Sequence, residues 1–214
     1  MITGCSSGIG LATTEYFLDK GYYVVGIDKN DCEINYSSFQ FFKLDIFKDE
    51  LIDIDDVAIL INNAGLQNSI SDIDNNLKGT MRITEKYVFN PSIKSVLFNI
   101  SSSSLTGFEF PDYVASKSGL IGYMKNVACR LASYNKATCN GLSFGGVITP
   151  LNNEVMNDKD KWNDIMKVTP LKKWMSADEC AEWIYFMTVV NKSCSGQNIL
   201  VDNGEKDLNN TFVW

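Results

Sequence analysis

The sequence predicts a doubly wound α/β domain, in which a parallel sheet is covered by helices on both faces. Three observations predict it. Short apolar runs without alternation recur along the chain, separated by helical stripes, which is the pattern of strands buried on both sides. A glycine-rich turn, Gly4-Cys5-Ser6-Ser7-Gly8-Ile9-Gly10, stands between the first strand and the first helix. Polar or glycine residues close one strand after another, and open α/β sheets bind ligands outside the carboxyl ends of their strands.

The elements follow in order. A short first strand ends at Thr3. After the glycine turn, Ile9, Ala12, Thr13, Tyr16 and Phe17 fall at helical spacing, and Gly21 stops that helix. Tyr22 to Ile27 is a buried strand ending at Asp28. Phe39 to Leu44 is a third, ending at Asp45, and Val57 to Ile61 a fourth, ending in Asn62-Asn63-Ala64-Gly65. Only 16 residues separate Asp45 from Asn62, which leaves little room for a helix between those strands. Residues 71–89 are helical. Ser95 to Ile100 is a fifth strand, followed by the four serines Ser101 to Ser104.

A long helix from about Pro111 to Ser133 carries Leu120, Met124, Val127, Ala128 and Leu131 as its core stripe. Residues 137–143 form another strand, and Phe144 to Pro150 a turn. The polar stretch 151–175 has room for one or two short helices, and about 150–175 is the expected substrate loop. Ala177 to Val190 is helical, and Asn198 to Val201 is the last strand. With 214 residues, no repeat and no linker, the chain reads as one compact, three-layer domain of Rossmann type spanning 1–214, with right-handed crossovers.

Composition narrows the function. Nineteen Lys and Arg stand against 26 Asp and Glu, a net charge of −7, and there is no basic run. Nucleic acid and anionic membrane surfaces are therefore not expected as partners. The longest apolar run, Trp183 to Val190, is too short to span a bilayer. No basic and apolar leader pattern is visible, so the expected location is cytoplasmic, and the N-x-S/T triplets at Asn35, Asn99, Asn191 and Asn209 carry no weight. Six scattered cysteines without a C-x-x-C pair read as reduced thiols, and no metal site is expected. The chain contains no histidine.

The opening turn admits two chemistries. Gly4-Cys5-Ser6-Ser7-Gly8 fits the G-x-S-x-G nucleophile elbow of a hydrolase. The same glycines also fit a loop that lays backbone N–H groups and a helix N-terminus against a phosphate. An elbow serine needs a base, normally histidine, and none exists. The phosphate reading is preferred, with Ser6 and Ser7 as hydroxyl donors. Asp28, 18 residues after Gly10, would then accept bonds from ribose hydroxyls and repel a 2′-phosphate, although by itself it could equally be a turn residue. NAD is favoured, while Lys29 beside it keeps NADP open.

Tyr113 and Lys117 are spaced i, i+4 and share a helix face. A free phenol titrates near pH 10, too high for acid–base work at neutrality, and a nearby ammonium would lower it. Such a pair could exchange a proton with a hydroxyl while hydride moves to or from a nicotinamide. Taken alone, the same spacing is met by a solvated lysine beside a packed tyrosine.

The sequence resembles the classical short-chain dehydrogenase/reductase family over nearly its whole length. Thr3 to Gly10 is similar to the family's TGxxxGIG loop, Asn63-Ala64-Gly65 to NAG, and Asn76-Leu77-Lys78-Gly79 to the segment of the catalytic asparagine. Asn99 to Ser102 is similar to the strand that delivers the catalytic serine. Tyr113 to Lys117 is similar to YxASK, Gly145 to Pro150 to PGxxxTP, and Gly196-Gln197 with Val201 to Gly204 to a terminal GQ…VDGG. Phe144 stands where the family has proline, and Asn203 where it has glycine.

The resemblance implies the site. Tyr113 would be the general acid/base, Lys117 its tuner and a holder of the nicotinamide ribose, and Ser102 the donor to the substrate oxygen, with Ser103 as rival. Asn76 would position a water in a proton path to Lys117. Gly4, Ser6, Ser7, Gly8, Ile9 and Gly10 would hold the pyrophosphate side. Asp28 would meet the adenosine ribose with Lys29 beside it, Asp45 the adenine edge, and Thr149 with Val147 the nicotinamide amide, while Ile46, Asn63, Ala64, Gly65 and Gly145, with Tyr113 and Lys117, complete the cofactor-binding set.

The implied activity is interconversion of a secondary alcohol and a ketone with NAD(P), by a homodimer or homotetramer joined through helices 71–89 and 113–133. Phe108, Phe110, Phe144, Met156 and Trp162 are available as apolar walls for an acyl-type carbonyl compound. The rival reading is a Rossmann domain that senses the nicotinamide redox state and catalyses nothing.

Overall fold

Seven parallel strands form the central sheet of the computed structural model, which describes residues 1–208; the Asn209 triplet lies outside the described residues. The strands are β1 (Ile2–Thr3), β2 (Val24–Asp28), β3 (Phe39–Lys43), β4 (Ile59–Asn62), β5 (Ser95–Asn99), β6 (Thr138–Phe144) and, closing the edge, the segment Asn198–Val201. Two further short strands, β7 (Val147–Ile148) and β8 (Met175–Ser176), pair with each other in a separate parallel ribbon, so the edge strand is β9. The order β3-β2-β1-β4-β5-β6-β9 reverses direction between β1 and β4. That reversal opens a crevice at the carboxyl ends of these two strands.

The helices are α1 (Gly8–Asp19), α2 (Thr80–Tyr87), α3 (Ser103–Thr106), α4 (Pro111–Tyr134), α5 (Asn153–Asn157), α6 (Lys159–Val168) and α7 (Ala177–Tyr185). Two π-helical segments, Ile73–Gly79 before α2 and Phe186–Val190 after α7, lie where unbroken helices were expected. No helix connects β3 to β4, in keeping with the short spacer. The β7–β8 ribbon and α3 were not foreseen, because two- to four-residue elements have no period to read.

Neighbouring residues of one strand feed opposite cores. Val96 and Phe98 of β5 pack with Ile83, Met124, Val127 and Leu131 under α2 and α4. Leu97 packs with Phe17, Leu142 and Ile184 under α1 and α7. Burying each such side chain contributes about 1.5–3 kcal/mol, which pins the register that aims the strand ends. α7 starts with a capping box, Glu179 N to Ser176 Oγ at 3.1 Å and Ser176 N to Glu179 Oε2 at 2.8 Å. Among the described residues no helix is long and apolar enough to cross a membrane.

Candidate active site

A cleft of about 620 Å³ opens along the carboxyl ends of the strands. Its floor is the glycine turn. Gly10 carries the tightest constraint, since a β-carbon there would stand 1.8 Å from the Gly4 carbonyl oxygen. Gly4, Ser7, Gly8 and Ile9 face the cleft; Gly10 braces the turn from behind. Ser7 precedes α1 without a side-chain cap, and the first turn carries no acidic residue, so the helix N-terminus keeps its attraction for an anion.

Asp28 ties the turn to the end of β2. Its Oδ2 accepts from Ser6 N at 3.0 Å and its Oδ1 from Asn30 N at 2.9 Å, while the residue lines the cleft beside exposed Lys29. Ser6 therefore contributes through its backbone. Asp45 and Ile46 line the same end, and Asp45 Oδ1 also accepts from Phe47 N at 2.8 Å. Asn63 acts as a clamp: its Nδ2 donates to the carbonyls of Thr3 and Gly4 at 3.1 Å, and its Oδ1 accepts from Asn99 Nδ2 at 2.8 Å. Ala64 and Gly65 follow on the wall. Gly145, Val147 and Thr149 line the opposite side, with Thr149 packed toward Gly8.

Tyr113 and Lys117 point from one face of α4 into this cleft, both buried, with Nζ 5.7 Å from the phenol ring centre. Lys117 Nζ donates to the Asn99 carbonyl at 3.0 Å. Gly65 admits it: a β-carbon at that position would lie 3.3 Å from Nζ and 3.4 Å from Asn76 Oδ1. Asn76 sits fully buried in the first π-helical segment, where Oδ1 accepts from Leu66 N at 2.7 Å and Nδ2 donates to Leu66 O at 2.8 Å. The amide thus satisfies an irregular backbone, a setting common at functional sites.

Two expectations need correction. Of the serines in the run, Ser101 is the one whose hydroxyl acts on the Tyr113 phenol, where Ser102 or Ser103 was expected. The chain passes from β5 into α3 within the serine run, and Ser102 N is drawn to the Phe144 carbonyl at 2.9 Å. Ser101 stands 12 residues before Tyr113, in a run of four serines that local pattern does not tell apart. Nor is the phenol made acidic. Burial pushes Tyr113 up to about 12, the Ser101 bond opposes this, and the charges of Glu109 and Asp72 add to it. Burial lowers Lys117 to about 8, with Asp72 opposing. The cation is itself desolvated, so it stabilises a phenolate less than the helical spacing suggests.

These residues compose a cleft with the glycine turn as its floor and the buried Tyr113–Lys117 pair at one end, and nearly the whole chain matches known proteins. Residues 4–206 match the family described as enoyl-(acyl carrier protein) reductase. The chain belongs to the short-chain dehydrogenase/reductase family. Among its relatives, the 3-oxoacyl-(acyl-carrier-protein) reductase FabG of Staphylococcus epidermidis is 26% identical, with 95% of this chain and 97% of that protein covered. A solved 4-hydroxyisoleucine dehydrogenase complexed with NADH superposes with a TM-score of 0.88 at 25% identity, covering 98% of both chains. A putative 2-deoxy-d-gluconate 3-dehydrogenase from Agrobacterium tumefaciens with bound NADP shares the fold at a TM-score of 0.82 and 21% identity, covering 95% of this chain and 94% of that one.

As a short-chain dehydrogenase/reductase, the protein is an oxidoreductase of the alcohol/ketone pair that uses a nicotinamide dinucleotide. The cleft fits that group: the close-packed glycine turn, the uncapped helix start and the Asp28 carboxylate offer what a pyrophosphate and a ribose need. On the substrate side, Phe108 and Phe144 are walls as expected, joined by Ile165, Val168 and Trp174. Phe110, Met156 and Trp162 are not among the lining residues; Trp162 instead packs edge-on against Trp174 at 5.1 Å. Glu109 and Glu205, also on this wall, were missed because single glutamates in polar stretches carry no pattern.

Proposed function

We propose that the protein is an NAD-preferring reductase or dehydrogenase of a partly apolar, acyl-type carbonyl compound, of the 3-oxoacyl thioester class. The single observation that carries the reading is the convergence of Tyr113, Ser101 and Lys117 on the cleft that the glycine turn floors. A nicotinamide dinucleotide supplies or accepts the hydride and, when oxidised, brings a positive charge. In the reductive direction Tyr113 Oη gives its proton to the carbonyl oxygen, and Ser101 Oγ bonds that oxygen as negative charge builds on it. Lys117 holds a ribose hydroxyl and faces Tyr113. Asn76 serves the water path to Lys117, and its approach to Gly65 beside Nζ supports this.

Asp28 supports the choice of NAD, and the apolar walls Phe108, Ile165, Val168 and Trp174 support the acyl-type substrate. The acidic net charge and the lack of a long apolar helix among the described residues support a cytoplasmic enzyme acting on small molecules rather than nucleic acid or membrane. We read the assembly as a homodimer or homotetramer through α2 and α4.

The test is oxidation of NADH and NADPH across ketones and 3-oxoacyl thioesters, with Tyr113→Phe beside the parent and the oligomer measured by light scattering. Turnover that Tyr113→Phe loses by about 100-fold or more, at unchanged nucleotide affinity, is the expected result. Tight nucleotide binding without turnover of any carbonyl compound would overturn it in favour of a redox sensor.

A further inference from the structure

The substrate side of the cleft holds a carboxyl group that takes no part in the proton chemistry at Tyr113. Glu205, in the turn after β9, is partly buried and lines the cleft with Ile165 and Trp174. Its Oε1 is engaged from behind: the hydroxyl of Thr169, fully buried at the end of α6, stands 2.7 Å away. Its Oε2 carries no hydrogen bond among the described residues and lies beside Gly145, where a β-carbon would stand 3.3 Å from it. The nearby Trp174 Nε1, packed against Gly146, is likewise without a partner. The turn is tied to the end of α6 a second time, by Leu171 N to Asn203 O at 3.3 Å, so the carboxyl is held in place.

The Thr169 hydroxyl has one proton but two acceptors within bonding distance, Glu205 Oε1 at 2.7 Å and the Ile165 carbonyl at 2.9 Å. The carbonyl contact is the usual back-bond of a threonine in a helix. Both contacts become hydrogen bonds when Glu205 brings a proton of its own and donates it to Thr169 Oγ1. The surroundings agree. Among the described residues no Lys or Arg forms an ion pair with Glu205. Burial raises its carboxyl above the ordinary glutamate range and the Asp202 charge adds to this, while Thr169 and Trp174 oppose it. Lys206, next in the chain, is paired with Asp207, and Lys172 donates to the carbonyls of Met166 and Lys167.

We propose that Glu205 is a specificity-determining residue whose free Oε2 accepts a hydrogen bond from a hydroxyl that the substrate carries away from its reacting carbonyl. This rests on the reading of the cleft as an alcohol/ketone site, and it adds one polar handle to the apolar walls. A carboxyl group whose proton is committed to Thr169 offers the cleft an acceptor without net charge. It has no proton left for a substrate carboxylate and no charge to attract an ammonium, so a hydroxyl is the group it complements.

The experiment measures kcat/KM with NADH for ketones of matched chain length that end in a methyl, a hydroxymethyl or an aminomethyl group, over a series of lengths. In the parent the hydroxymethyl ketone should be favoured about tenfold or more over both others at one length. Glu205→Leu should lose that preference. Glu205→Gln should keep it, because its amide donates to Thr169 Oγ1 and leaves its oxygen in the cleft. Thr169→Val, which keeps the carboxyl but unpins it, should weaken the same preference, and NADH affinity should stay parental in all three. No hydroxyl preference at any length, a preference for the aminomethyl ketone, loss of the preference in Glu205→Gln, or its survival in Glu205→Leu would each overturn the proposal. So would variants that change NADH affinity and leave the preference intact.

A second readout needs no turnover. The carbon-13 carboxyl signal that Glu205→Gln removes should titrate above the ordinary glutamate range, and a signal titrating at the ordinary value would overturn the uncharged acceptor. A parent that reduces none of the ketones would instead overturn the activity reading. Calorimetry of the same ketones on the nucleotide-loaded protein would then still judge Glu205, by whether the hydroxymethyl compound binds more tightly to the parent than to Glu205→Leu.

Discussion

Lys117 places its ammonium 5.7 Å from the centre of the Tyr113 ring, yet the phenol is raised to about 12. Burial is the largest cause, with Glu109 and Asp72 adding to it and the Ser101 hydroxyl opposing it. Keeping the Lys117 ammonium buried beside the phenol costs free energy in the folded protein.

That cost has a pH signature. Below about pH 8 the Lys117 amine is charged in folded and unfolded chains alike, and the burial penalty is carried in full. Between about 8 and its ordinary value of 10.5, the unfolded chain holds a proton that the folded one has shed, so stability rises with pH. Lys117→Met should therefore gain about 3 kcal/mol more relative to the parent at pH 7 than above pH 10.5. Urea unfolding of both proteins across this range measures it, and a difference that does not vary with pH would disprove it.

The serine run gives a second prediction. Ser101→Ala should lower kcat on the order of 100-fold, while Ser102→Ala should stay near the parent, since Ser101 is the buried serine whose hydroxyl acts on the phenol. Steady-state kinetics of the two variants decide between them. The reverse ranking would restore the register read from the sequence.

Asp28 is the expected determinant of cofactor choice. Asp28→Asn removes the charge and keeps an oxygen acceptor for only one of Ser6 N and Asn30 N, which the aspartate bonds through separate oxygens. The NADPH-to-NADH ratio of kcat/KM should rise about tenfold, equivalent to about 1.4 kcal/mol of relieved repulsion. An unchanged ratio would assign the preference to other residues, Lys29 among them.

Gly10→Ala tests the floor of the cleft. The added methyl would overlap the Gly4 carbonyl, so the turn must shift. Loss of about 1–3 kcal/mol in stability and weaker nucleotide binding are expected, read by thermal unfolding with and without NADH. Parental values for both would mean that the turn adapts freely.

Much of the molecule was legible in the chain because it depends on local spacing. The apolar strands, the helical stripes of α1 and α4, the glycine turn and the Tyr113–Lys117 pair all follow from periods of a few residues. The absence of histidine removed the nucleophile-elbow reading of Ser6 and Ser7 without coordinates. Asn63 was legible as part of the site but not as a clamp, since its partners Thr3, Gly4 and Asn99 lie on other strands.

By itself the sequence determined the sheet with its covering helices, the family and the place of the cleft, because each rests on short-range pattern and residue chemistry. Only the tertiary structure decided which serine meets the phenol, that Trp174 lines the cleft, and that burial raises Tyr113. Those outcomes are set by distances between segments far apart in the chain and by the water that packing excludes, neither of which any local period encodes.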